Sequence, residues 1–261
     1  SILNISDPSA PTLTGYIKDG VGADYLNGAE GVYVAGKYAY VVSRNDNSLT
    51  VIDISNPSNP TQVGVIVSGS GASNLNETIS VYVSGKYAYV ASRKSNSLTV
   101  FDISDPANPK QTGVAVNGIN GVSGLSRAFS VYISGKYAYV AANDNTVSIL
   151  DISNPASPTE IGVFTSSSLS GADSIYVSGK YAFVTAYNSN SLTIIDVSDP
   201  TTPTQVGIII NGSGATALNY PFKVYVAGDY AYVASFSSNS LSVFDISNPS
   251  APREINVIQY G

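Results

Sequence analysis

Apolar and polar residues alternate along most of this chain in short runs, each closed by Gly, Pro, Asn or Asp. Around its middle, Ile79–Val83, Tyr87–Ala91, Leu98–Ile103 and Gln111–Val116 are rich in Val, Ile, Tyr and Thr. That composition at a period of two predicts four β-strands, here A to D. The A–B link at Ser84-Gly85-Lys86 has the glycine that a tight hairpin uses at positive φ. Arg93 to Ser97 reads as a second polar hairpin. Ser104-Asp105-Pro106-Ala107-Asn108-Pro109 reads as an Asx-type turn stiffened by two prolines.

This pattern recurs. GVYVAGKYAYV, SVYVSGKYAYV, SVYISGKYAYV, SIYVSGKYAFV and KVYVAGDYAYV are anchored on Gly36, Gly85, Gly135, Gly179 and Gly228, spaced by 49, 50, 44 and 49 residues. A second phrase follows each anchor and carries Asp53, Asp102, Asp151, Asp196 or Asp245. Residues 3 to 15 match that second phrase, with Asn4 in the Asp position. Twelve of the thirteen prolines fall as pairs three apart in the C–D links, and a strand-rich chain keeps proline in such links. The reading is one all-β domain over residues 1–261. It holds an N-terminal half unit at 1–18 and full units at about 29–67, 79–116, 129–165, 173–210 and 222–260.

Four short antiparallel strands per unit of 44 to 50 residues, with long D–A connections, describe the blade of a β-propeller. SLTVIDIS and SLTVFDIS, each preceded by GKYAYV, resemble the LVIVD repeat of bacterial and archaeal cell-surface proteins. The resemblance spans essentially the whole chain and implies a propeller with an extracellular or cell-surface location. It carries over no catalytic or ligand residues. The strand count leaves three arrangements open: five blades with an accessory hairpin, six blades with one incomplete, or a half unit that pairs with a neighbouring subunit. For the third, Leu3, Ile5, Leu13 and Tyr16 are the expected contacts, because unpaired strand edges invite other chains and head-to-tail contacts that do not close make filaments.

Composition narrows the chemistry. His, Cys, Met and Trp are absent, which excludes His- and Cys-dependent nucleophile systems, the usual zinc ligand sets and disulfides. A start at Ser1 reads as a mature or partial product of a longer precursor. Only 11% of residues are charged and the net charge is −6, which argues against a nucleic-acid partner. No run approaches the length of a membrane span. No cofactor or metal is expected.

The shared aspartates lie just before Ser-Asn/Asp-Pro turns and are read as backbone hydrogen-bonding groups. The tyrosine pairs, such as Tyr38/Tyr40, are read as packing between blades. Specific function is expected where the units differ. At the start of strand A, Glu30, Asp173 and Lys223, with nearby Arg127, would cluster at one channel mouth as a small-ligand or ion site. On the B–C hairpins, Tyr187 and Phe236 replace polar residues and could stack on a sugar. Asn4, Asn76 and Asn211 head Asn-x-Ser/Thr sequons. The functional expectation is a non-enzymatic surface or assembly module, with a glycan-binding propeller second and a polysaccharide-active enzyme third.

Overall fold

The computed structural model describes residues 1–260 and is all β, with no helix among the described residues. The half unit forms a two-stranded antiparallel hairpin of β1 (Ile2–Asn4) and β2 (Thr12–Gly15), in which Leu3 faces Leu13. Five complete A-B-C-D sheets follow, as the repeat pattern predicts. In blade two the strands are Thr78–Ser84, Tyr87–Ser92, Ser97–Asp102 and Lys110–Val116. Strand A of each blade packs beside strand A of the next, so the A strands line the centre and the D strands lie outermost. Between blade five and blade one no such packing occurs, and the described residues form an open arc.

The turns follow from local chemistry. All five anchor glycines sit at φ 57–58° with open space where a side chain would be. In the B–C turns Asn47, Asn96, Asn145, Asn190 and Asn239 take the left-handed conformation, which Asn tolerates better than other side chains. Each repeat aspartate accepts the backbone N–H two residues on, from Asp53 and Ser55 at 2.8 Å to Asp245 and Ser247 at 3.0 Å. Asn4 Oδ1 does the same for Ser6 at 2.9 Å. Lys37, Lys86, Lys136 and Lys180 pair with the aspartates of their own blades at 3.4–3.7 Å. In blade five Asp229 replaces that lysine, and Arg253 takes over at 2.7 Å from Asp245.

The core is a set of layers between blades. In the first complete layer, Tyr40, Val42, Leu49 and Val51 of blade one meet Val81, Val83, Ala88, Val90 and Phe101 of blade two. Tyr40, Tyr89, Tyr139 and Phe183 are buried there, as expected for the second aromatic of strand B. Each layer is plugged by a leucine from a D–A segment: Leu75, Leu125, Leu169 or Leu218. The strand-D glycine is a close blade-to-blade approach. A methyl group at Gly64, Gly113, Gly162 or Gly207 would collide with the carbonyl oxygen of Pro106, Pro155, Pro200 or Pro249 in the following blade's C–D turn.

Gly15 makes that same approach to Pro57. The half unit therefore sits on blade one as strands C and D of a blade, rather than as an accessory hairpin. At the other end of the arc the position is Asn256, and no following blade covers it.

Candidate functional site

Two regions depart from the repeat. The first is a mouth of the central channel. Where strand A meets strand B, the pairing skips one residue in every blade: Glu30, Ile79, Phe129, Asp173 and Phe222. The bulge frees that residue from the ladder and re-aims it. Asp173 is 1% exposed and its Oδ1 has no hydrogen-bond partner among the described residues. Burial pushes its carboxyl up to about 7, Lys223 opposes that rise, and Glu30 adds to it. Glu30 and Lys223 thus both act on Asp173 across the mouth. Glu30 also lies 3.8 Å from Arg44, and the Lys223 ammonium stands 5.7 Å from the Phe222 ring centre. Arg127 does not join them: it is exposed, and its backbone N–H donates to Asn96 Oδ1 at 2.7 Å.

Beside Asp173 lies an aromatic row. Tyr187 and Tyr220 stack with ring centres 4.6 Å apart and planes at 24°, and Phe236 follows at 5.9 Å from Tyr220. Phe236 is 76% exposed. The Tyr187 hydroxyl donates to Asn143 Oδ1 at 2.9 Å, while Asn143 Nδ2 is buried without a partner. Burial, Tyr187 and Asp173 all raise the Tyr220 hydroxyl. Tyr187 and Phe236 are thus joined through Tyr220, a residue that hairpin alignment alone does not reveal.

Sequence reasoning also missed the channel lining. Tyr33, Tyr82, Tyr132, Tyr176 and Tyr225 form a row with successive ring centres 4.6, 5.0, 4.8 and 5.3 Å apart. Their signal was the tyrosine at the centre of VYV, VYI or IYV in each strand A. Burial pushes the Tyr33 hydroxyl up to about 12 and raises that of Tyr132 further.

The sequon residues differ in setting. Asn4 and Asn76 are exposed, whereas Asn211 is half-buried with its Oδ1 accepting Leu218 N–H at 3.0 Å. No group of three Asp or Glu residues suited to a metal ion occurs among the described residues.

The second region is the half blade. Leu3, Ile5, Leu13 and Tyr16 are all exposed. Val32 and Val34 of blade one are 63% and 56% exposed, although their counterparts Val81 and Val83 are buried. Ala39, Val41 and Ile52 are buried against Ile17, Leu26 and Ile54, while the half unit brings no strand B over Val32 and Val34. The resulting groove, about 620 Å³, is lined by Ile2, Ile17, Leu26, Val32, Val41 and other residues. Along its rim β1 pairs with β2 on one side and, among the described residues, with no strand on the other.

Solved structures share this architecture. A protein from Lactobacillus plantarum aligns with 92% of this chain and 73% of its own at a TM-score of 0.74 and 18% identity. A functionally unknown protein from Desulfotomaculum acetoxidans aligns over 95% and 74% of the two chains at 0.69 and 17%. The periplasmic gluconolactonase of Pseudomonas aeruginosa aligns over 88% and 72% at 0.70 and 15%. The last of these corrects the expectation of a non-enzymatic protein: an enzyme is built on this fold, so the architecture gives no ground for excluding catalysis. No curated protein matches the sequence. The model of the LVIVD repeat matches residues 1–19, 28–67, 77–114, 126–166, 171–210 and 222–258, and the chain belongs to the LVIVD-repeat family.

Proposed function

We propose that this propeller is an extracellular or cell-surface assembly module that joins another polypeptide, in the first place a further copy of itself, through its half blade. The observation that carries the reading is the uncovered ground between β1 and blade one. There, Val32 and Val34 lie exposed although blade two buries the same positions. Burying two valines and the surrounding groove would contribute about 1.5–3 kcal/mol per fully covered side chain, and the free strand edge adds directional hydrogen bonds. The two ends of the arc differ in shape, so contacts between copies run head to tail. The test is sedimentation over a wide range of concentration. Mass should grow beyond 27.1 kDa and return to that value in Val34→Lys; a single 27.1 kDa species at every concentration overturns self-association.

A second reading, glycan binding, is favoured by the Tyr187–Tyr220–Phe236 row beside the unpartnered Asp173 and Asn143 atoms. Aromatic faces stack on sugar rings while carboxylate and amide groups take the hydroxyls. Binding to a glycan array that disappears in both Tyr187→Ala and Phe236→Ala would support it. Binding that survives both changes would place the ligand elsewhere.

A further inference from the structure

We infer that the tyrosine row of the channel is a site of oxidative cross-linking, at which a peroxide joins neighbouring rings and so ties one blade to the next covalently. The row belongs to the five complete blades and is independent of the half blade and of the assembly reading.

The sequence and the fold each contribute. Cys and Met are absent, so the sulfur groups on which oxidants ordinarily act are missing. Trp and His are absent too, while the chain carries 19 tyrosines. The phenol is then the side chain that gives up an electron most readily. The fold sorts these phenols by access. Tyr40, Tyr89 and Tyr139 are closed off between blades at 3–4% exposure. Tyr33, Tyr82, Tyr132 and Tyr176 are only half-buried along the channel, and Tyr225 at the end of the row is exposed.

The rings of the row come from different blades yet lie in contact. Tyr33 and Tyr82 stand 4.6 Å apart with planes at 46°, and Tyr132 and Tyr176 stand 4.8 Å apart at 51°. These are the two tightest pairs in the row that share no ring. The intervening contact, Tyr82 with Tyr132, is 5.0 Å, and Tyr225 meets Tyr176 edge-on at 5.3 Å. The hydroxyls converge as well. After burial, it is the Tyr82 hydroxyl that raises Tyr33, and the Tyr176 and Tyr82 hydroxyls that raise Tyr132. The ring carbons beside these oxygens, where phenoxyl radicals couple, are thus held near one another, and coupling becomes a step within one molecule.

In that step each of two neighbouring phenols loses one electron and its hydroxyl proton. The two electrons reduce and split the O–O bond of the peroxide, and the two protons pass to channel water. A carbon–carbon bond forms between the ring carbons beside the two oxygens. Each of these carbons then passes its hydrogen to its own oxygen, which restores both aromatic rings. The product is a dityrosine two hydrogens lighter than the pair it came from. In a chain without cysteine it does the work of a disulfide, closing a loop one repeat long and restricting the unfolded state.

The test treats the dilute full chain with persulfate and photoexcited ruthenium tris-bipyridine, and maps the links by mass spectrometry of proteolytic peptides. The expected product is a monomer with dityrosine fluorescence, lighter by two hydrogens per bond, linked Tyr33 to Tyr82 and Tyr132 to Tyr176, with a raised melting midpoint. Tyr82→Phe combined with Tyr176→Phe keeps every ring but leaves no two phenols adjacent in the row. Links within the row should then fall roughly tenfold or more, while the untreated variant melts like the parent. No dityrosine under conditions that couple free tyrosine overturns the inference. So do links found only between molecules or only at Tyr187–Tyr220, row links that survive the double change, and an equal yield of the Tyr33–Tyr82 link from chain unfolded in denaturant.

Discussion

At the scale of single residues, the strand-D glycines are set by their neighbours' backbones. Gly113→Ala places a methyl group against the Pro155 carbonyl and should cost about 1–3 kcal/mol, read from denaturant melts. Asn256→Ala, at the equivalent position with nothing packed over it, should change stability by less than about 0.5 kcal/mol. Asp173 makes a second prediction. Its folded carboxyl titrates near 7, against an ordinary value of 3.8. Between those values the folded protein holds a proton that the unfolded chain has released, so stability falls as pH rises from about 4 to about 7. Melts across that range should show the fall, and Asp173→Asn should remove it. The repeat aspartates, lowered by Ser hydroxyl and amide donors, contribute in a separate window: their stabilisation is present above their ordinary value and is lost as pH falls through the depressed one. Single positions were partly legible in the sequence. The aspartate and glycine roles follow from turn chemistry, which acts over two or three residues. The burial of Asp173 and its link to Tyr220 depend on three blades meeting at the mouth, and no local pattern carries that.

Between elements, the D–A segments show where sequence reading ran short. Each is tied down twice, by a leucine in the layer and by one carboxamide or carboxylate of the next strand D. Gln62 accepts Asp24 N–H at 2.8 Å, Gln111 accepts Ser73 N–H at 2.7 Å, and Glu254 accepts Thr216 N–H at 2.8 Å. Glu160 accepts four bonds, two from Ser123 and one each from Gly124 and Ser148. A lone leucine in a polar loop has no periodicity to reveal it, whereas the strands themselves did. Leu125→Ala should therefore cost about 2–5 kcal/mol, a core-sized loss from a loop position. Gln111→Ala should leave the melting midpoint nearly unchanged while amide exchange quickens at Ser73.

For the whole molecule, the repeat predicted the blades correctly but not how the arc ends. Alignment of residues 3 to 15 with the C–D phrase identified a half unit. Its placement was settled only by Gly15 against Pro57, a contact made between units. That placement seats the half unit as an incomplete blade in its ordinary position, with a free β1 edge above exposed Val32 and Val34 among the described residues. The other end, with Asn256 and the Arg253–Asp245 pair, does not repeat the glycine contact that blades make with their successors.

The most direct measurement of the half blade is amide hydrogen exchange at Ile2–Asn4 at low and at high chain concentration. The expected result is fast exchange there at low concentration compared with Val51–Asp53, the same strand in a complete blade, and a marked slowing confined to the half blade as the concentration rises. Protection equal to that of Val51–Asp53 at low concentration, or no change as the concentration rises, would contradict the open half blade as the joining surface.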